Sequence, residues 1–118
     1  MTAAVAHDRQ AWRENRPGSR LQLVADPSGR VTGLALVNQE CQPGVGAPSH
    51  THTFEELLTI LDGTAEVWVD DERVTARPGM TVFVPTGAVH GFRNVGDRTL
   101  RLQAVIAAPE LRATFLPS

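Results

Sequence analysis

The chain has no lysine, no tyrosine and one cysteine. All eleven basic side chains are arginine, so no side-chain amine can form a Schiff base with a carbonyl substrate. Without a phenol, the general acid, general base or oxyanion donor that tyrosine supplies elsewhere is excluded. Cys41 alone cannot form an internal disulfide, which agrees with a reducing compartment and a cytoplasmic location. No apolar run approaches the length of a bilayer span. The N-terminal residues MTAAVAHDRQAWRENRPG lack a basic segment followed by an apolar core, so they do not read as a signal peptide. A formal net charge of −2 gives no electrostatic reason to expect nucleic acid or anionic membrane as a partner.

What is present fits one domain. The chain has 118 residues, 42% of them hydrophobic, enough to bury a core and too many for disorder. Short alternating segments separated by Gly and Pro predict an all-β fold. Strands are expected at Leu21–Ala25, Val31–Cys41, Thr51–Leu61, Thr64–Val69, Arg73–Arg77, Thr81–Val84, Val89–Asn94 and Thr99–Ala107. Asp26–Gly29, Pro43-Gly44, Asp62-Gly63, Asp70-Asp71, Pro78-Gly79 and Gly96-Asp97 supply the turns. Pro109–Phe115 reads as a helical turn or a final edge strand. Such a pattern predicts a sandwich or barrel.

Within this pattern, His50, His52 and Glu56 stand at even spacings. On an extended strand, residues two and four apart share a face, so all three aim at one point if Thr51–Leu61 continues the strand. Only four histidines exist, and one of them, His90, offers a third imidazole from a later segment. Polar titratable groups aimed into a small barrel each require a buried partner, and a divalent cation would satisfy them together. His7 falls outside these segments and reads as an exposed residue of the N-terminal stretch.

The two segments resemble the two motifs of the cupin family. Gly44, His50, His52, Glu56 and Gly63 match G-x5-H-x-H-x3–4-E-x6-G, and Gly79, Pro85, Gly87, His90 and Asn94 match G-x5-P-x-G-x2-H-x3-N. Fifteen residues separate the motifs, and the resemblance covers roughly residues 30–107. It implies a double-stranded β-helix, or jelly-roll barrel, over residues 21–118. It also implies that His50, His52, Glu56 and His90 hold one divalent transition metal ion: Fe, Mn, Ni, Cu, Co or Zn. Small cupins are commonly dimers, so a homodimer is expected. Residues 1–20 would then form a segment exchanged with or packed on the partner, with Leu57, Leu61 and Trp68 on the interface.

Parity extends the site. Val37, Gln39 and Cys41 are expected to face the barrel, with Leu58, Ile60, Phe92 and either Val82 or Phe83 forming an apolar wall. A buried amide requires a partner, so Gln39 either orients a substrate or bonds the protein itself. Cys41 reads as a small buried hydrophobe unless it lies beside the ion. Glu55 has the opposite parity from Glu56 and is expected in solvent. Arg93 and Arg101 are candidates for holding a substrate carboxylate. These residues point to an enzyme acting on a small organic molecule chelated at the metal, with Glu56 and Gln39 as catalytic candidates. Oxygenase-type chemistry leads, a non-redox cyclase, isomerase or lyase is the alternative, and a small-molecule sensor without turnover is the third reading.

Overall fold

A computed structural model of the chain describes residues 3–117. Two antiparallel sheets face each other. One runs in the order β1 (Arg13–Arg16), β2 (Ser19–Val24), β3 (Ala35–Cys41), β10 (Leu100–Ile106), β5 (Glu56–Asp62), β8 (Thr81–Val84). The other runs β11 (Thr114–Phe115), β4 (Gly46–Thr51), β9 (His90–Asn94), β6 (Ala65–Val69), β7 (Glu72–Ala76). A short 3-10 turn, His7–Arg9, precedes them. This is the expected all-β jelly roll.

Alternation builds the core. In β3, Ala35, Val37, Gln39 and Cys41 are buried while the residues between them are half-buried. In β10 the inward set is Leu100, Leu102, Ala104 and Ile106. These pack on Leu58 and Ile60 of β5 and on Val67 and Phe92 of the facing sheet, all under a tenth exposed. Burial of an aliphatic side chain of this size stabilises by about 1.5–3 kcal/mol, so this two-sided apolar layer is the main driving force of the fold.

Two expected strands are redrawn. Val31–Cys41 begins only at Ala35, because the Asp26 carboxylate accepts bonds from the backbone N–H groups of Ser28, Arg30 and Val31 and holds them in a loop. Thr51–Leu61 is not one strand. β4 ends at Thr51, the chain crosses between the sheets over 52–55, and β5 begins at Glu56 in the opposite sheet. The histidines and the glutamate therefore reach each other from facing sheets, not from one strand face. Pro109–Phe115 ends as an edge strand, with β11 paired to β4.

The outer faces locate other expected residues. Trp68 lies half-buried on the outside, its indole N–H donating to Ser49 Oγ at 2.9 Å. Its ring fills the space above Gly91, where an added Cβ would come within 2.5 Å of it. Leu57 and Leu61 are each 43% exposed, and Phe83 points outward while Val82 is buried. The N-terminal stretch packs on its own chain. β1 pairs with β2, and the Gln22 amide donates to the carbonyls of His7 and Gln10. His7 is exposed, as expected, but it is fastened by this bond and by Asn38 at its ring.

Asn94 bonds three backbone groups, tying the loop that follows β9 to the end of β3, while being 1% exposed. Its Nδ2 donates to the carbonyls of Cys41 and Arg98, and its Oδ1 accepts from Gly96 N–H. Replacing it with alanine leaves these buried groups unsatisfied. Asn94→Ala is expected to lower the unfolding free energy by roughly 2–4 kcal/mol, measured by urea denaturation. A loss under about 0.5 kcal/mol, the range of an ordinary surface change, would contradict this role.

Candidate metal centre

Each histidine of the motifs is aimed by its backbone. His50 lies in β4 directly opposite His90 in β9. His52 follows the last residue of β4, and its carbonyl accepts the N–H of Gly87 at 2.9 Å. Gly87 adopts φ +79°, a left-handed conformation that glycine enters without strain, at the corner that turns the chain back toward β9. Glu56 opens β5, between Val84 and Ile106 in the ladder.

The imidazoles share one hydrogen-bonding scheme. His50 Nδ1 lies 2.7 Å from the Pro48 carbonyl, His52 Nδ1 2.5 Å from that of Arg112, and His90 Nδ1 2.9 Å from that of Ala88. A carbonyl oxygen only accepts, so each Nδ1 carries the hydrogen. Each neutral ring therefore keeps its lone pair on Nε2. The three donor atoms lie within 4.8 Å of one another. Small side-chain rotations bring that spacing to shared coordination with bonds of about 2.0–2.1 Å. Glu56 Oε1 stands 3.1 Å from His90 Nε2 and 3.7 Å from His52 Nε2. All four side chains are less than a tenth exposed. Three histidines are thus positioned to bind a metal ion, with a carboxylate against two of them.

Burial decides how these rings titrate. It pulls His50 down to about 4, against a smaller upward pull from the Pro48 carbonyl. Burial likewise lowers His52, opposed by the Arg112 carbonyl and Glu56. Burial lowers His90 too, but there the bond to Glu56, the Ala88 carbonyl and the charges of Glu56 and Asp70 together win, and its net shift is upward. An ion therefore displaces a proton more readily held at His90 than at His50 or His52.

The donor atoms line a cavity of about 270 Å³. Its walls are apolar: Leu21, Val37, Leu58, Phe92 and Ala104. Gln39 joins the lining, and its Nε2 donates to Ser19 Oγ at 2.9 Å. Cys41 and Ile60, expected in the pocket, lie outside the lining at 0% and 1% exposure. Both sit farther along their strands, beneath the cavity. Burial pushes the Cys41 thiol above its ordinary range, as suits a packed residue rather than a nucleophile. Glu55 is exposed, as its parity implied.

Arg93 and Arg101 do not reach the cavity. Both are exposed on outward-facing positions, and Arg101 Nε lies 3.5 Å from Glu40. The cavity's arginines are Arg13 and Arg16 of β1, with Asn15 between them. Leu111, Ala113 and Phe115 complete the mouth from the C-terminal side, and the Phe115 ring lies 5.3 Å from that of His50. None of these six belongs to either motif. Even spacing, of Arg13 with Asn15 and of Leu111 with Ala113 and Phe115, is the available signal, and each run is too short to rank above a solvated edge.

A model of the cupin domain matches residues 37–106. The chain belongs to the cupin family. This cupin is 34% identical over 71 residues to the polyketide synthase CurC of Streptomyces cyaneus, covering 59% of this chain and 44% of CurC. It is 31% identical over 70 residues to a 5-nitrosalicylic acid 1,2-dioxygenase of a Bradyrhizobium species, covering 59% of this chain and 34% of that enzyme. The match thus spans less than half of either relative. Among solved structures, the polyketide cyclase RemF of Streptomyces resistomycificus superposes with a TM-score of 0.77 at 24% identity, covering all of this cupin and 89% of RemF.

Protons and metal compete for the same lone pairs. Metal binding at neutral pH should therefore release protons, drawn first from the raised His90. Affinity should fall as pH drops below the His90 range and fall further toward pH 4, where His50 also protonates. Calorimetry of zinc binding in buffers of different ionisation enthalpy checks this. Binding with no proton release at pH 7, or affinity flat from pH 7 to 4, would contradict the assignment.

Proposed function

We propose that this cupin is a metal-dependent enzyme acting on a small, largely apolar organic substrate, with oxygenase-type chemistry. The observation that carries the reading is the common focus of three Nε2 lone pairs and one carboxylate at the base of an apolar cavity. Imidazole and carboxylate donors suit first-row divalent ions, iron and manganese among them. When bound by His50, His52, His90 and Glu56, such an ion would supply redox chemistry and open positions for substrate oxygens.

The chain's own residues do the rest. The carbonyls of Pro48, Ala88 and Arg112 hold the ring orientations, so only small side-chain rotations are required when an ion arrives. Phe92, Leu58 and Val37 exclude water and grip an apolar body. Gln39, anchored on Ser19, presents an amide to the cavity. The volume of about 270 Å³ lies just under the range of about 300–1,000 Å³ for drug-sized ligands, which favours a single-ring compound over a long chain. The match to a dioxygenase of a ring-hydroxylated acid supports the same size class.

A second reading is a non-redox cyclase or isomerase, in which Glu56 moves a proton. The match to the polyketide synthase CurC favours it. Oxygen separates the two. Iron-loaded protein, screened on small phenols, ring-hydroxylated acids and 1,3-diketones, is expected to consume oxygen in step with product and to form none under anaerobiosis. His52→Ala should lower turnover by at least about 100-fold, since even outer-shell changes cost 10- to 100-fold. Equal product without oxygen would shift the assignment to the second reading. Normal metal content with no turnover of any class would leave a binding protein.

A further inference from the structure

The N-terminal strand carries a structural irregularity at the cavity mouth. In β1, Arg13 pairs with Leu21, Glu14 with Arg20, and Arg16 with Ser19, so one residue, Asn15, is extra. Residues three apart on a regular strand point to opposite faces. The bulge cancels that alternation, and Arg13 and Arg16 both come to the face of Leu21 and Ser19, which is the cavity face.

Two polar atoms there lack partners among the described residues, although they are buried: Asn15 Oδ1 and Arg16 Nε. Arg16 is otherwise held. Its Nη1 donates to the Gly46 carbonyl at 3.1 Å, and its guanidinium carbon lies 5.4 Å from the centre of the Phe115 ring. That same ring lies 5.3 Å from His50. The guanidinium is thus fixed one aromatic ring away from the metal ligands. Its pinned Nη1 leaves the Nε side of the fork free, the edge that grips a carboxylate with two parallel bonds. Charge agrees. The lining holds two arginines and one carboxylate, and a divalent ion makes the balance more positive still.

We propose that Arg16 and Asn15 are the substrate-anchoring residues. Arg16 binds a carboxylate through its Nε edge, and Asn15 Oδ1 accepts from a neighbouring hydroxyl. The substrate class is a small hydroxycarboxylate whose apolar body lies against Phe92 and Leu58. This deepens the reading of the cavity as a substrate site and rests on it.

The test uses zinc-loaded protein, so that binding is read without turnover, and titrates 2-hydroxybenzoate, its neutral amide and benzoate by calorimetry. Wild type should prefer the acid over the amide by about tenfold or more, the scale of a charge-assisted hydrogen bond. Arg16→Gln should weaken the acid by about that factor while changing the amide less than about twofold. Asn15→Leu should weaken 2-hydroxybenzoate several-fold and leave benzoate unchanged. If Arg16→Gln melts early, Arg16→Lys keeps the charge without the fork and should still lose most of the preference. Equal binding of acid and amide to wild type, or equal weakening of both by Arg16→Gln, would overturn the assignment. If the acid fails to bind while the iron form still turns over neutral substrates, the anchor is wrong and the enzyme reading survives. If metal is held normally but none of the three probes binds and nothing turns over, both fall.

Discussion

Three backbone carbonyls hold this site together. Each takes the Nδ1 hydrogen of one histidine, and each belongs to a different stretch of chain: Pro48, Ala88 and Arg112. Two are local, two residues before the ring they hold. The third spans sixty positions and ties the C-terminal segment over His52. Because carbonyls cannot donate, the tautomers follow, and with them the direction of every lone pair. An unassisted cluster of buried imidazoles would be costly, as the depressed His50 indicates. The carbonyl bonds and Glu56 offset part of that cost before any ion arrives.

The sheet arrangement serves this focus. His50 and His90 face each other across one ladder, so their spacing is set by strand pairing alone. Glu56 comes from the opposite sheet, so its approach is set by the thickness of the sandwich. The short crossing over 52–55 couples the two distances, with His52 at its start and stacked on Phe54 at 4.5 Å. A cavity with ligands from both walls cannot widen without stretching that crossing. Rigidity of this kind limits how far the donor groups can drift apart.

Much of this was legible in the chain, and the limits have physical causes. Alternation in Ala35–Cys41 and Leu100–Ile106 names the core without further help, because half-buried strands have a period of two. The spacing of His50, His52 and Glu56 gave the right convergence for an incomplete reason. Even spacing places the three on one strand face, whereas the chain changes sheets after Thr51. Convergence survives because the crossing turns the inward face of one sheet into that of the other. What periodicity could not reveal is which arginines enter the cavity. Arg93 and Arg101 sit near motif residues in sequence, but regular alternation turns them outward. Arg13 and Arg16 enter through a bulge, and a bulge depends on the partner strand, which no local pattern encodes.

The division of labour between motif and mouth follows from these constraints. Groups positioned to hold an ion must meet it at about 2 Å; here they come from paired strands, His50, His90 and Glu56, and from the short crossing between them, His52, all tied to a register fixed by a buried face. The residues at the cavity mouth are under no such distance constraint, and here they come largely from edge strands. β1 and β11 each have a neighbour on one side only. An edge strand can shift, bulge or change composition without disturbing the ladder beneath it. On the proposed reading, the mouth of this cupin, built from Arg13–Arg16 and from Leu111 to Phe115, is where specificity would be set. The apolar walls add size and dryness, but they discriminate weakly, since a methylene in such a pocket is worth only about 1–3 kcal/mol. On the proposed reading, the buried Arg16 Nε and Asn15 Oδ1, which lack partners among the described residues, would discriminate more sharply, because a ligand that leaves them unpaired incurs their full desolvation cost.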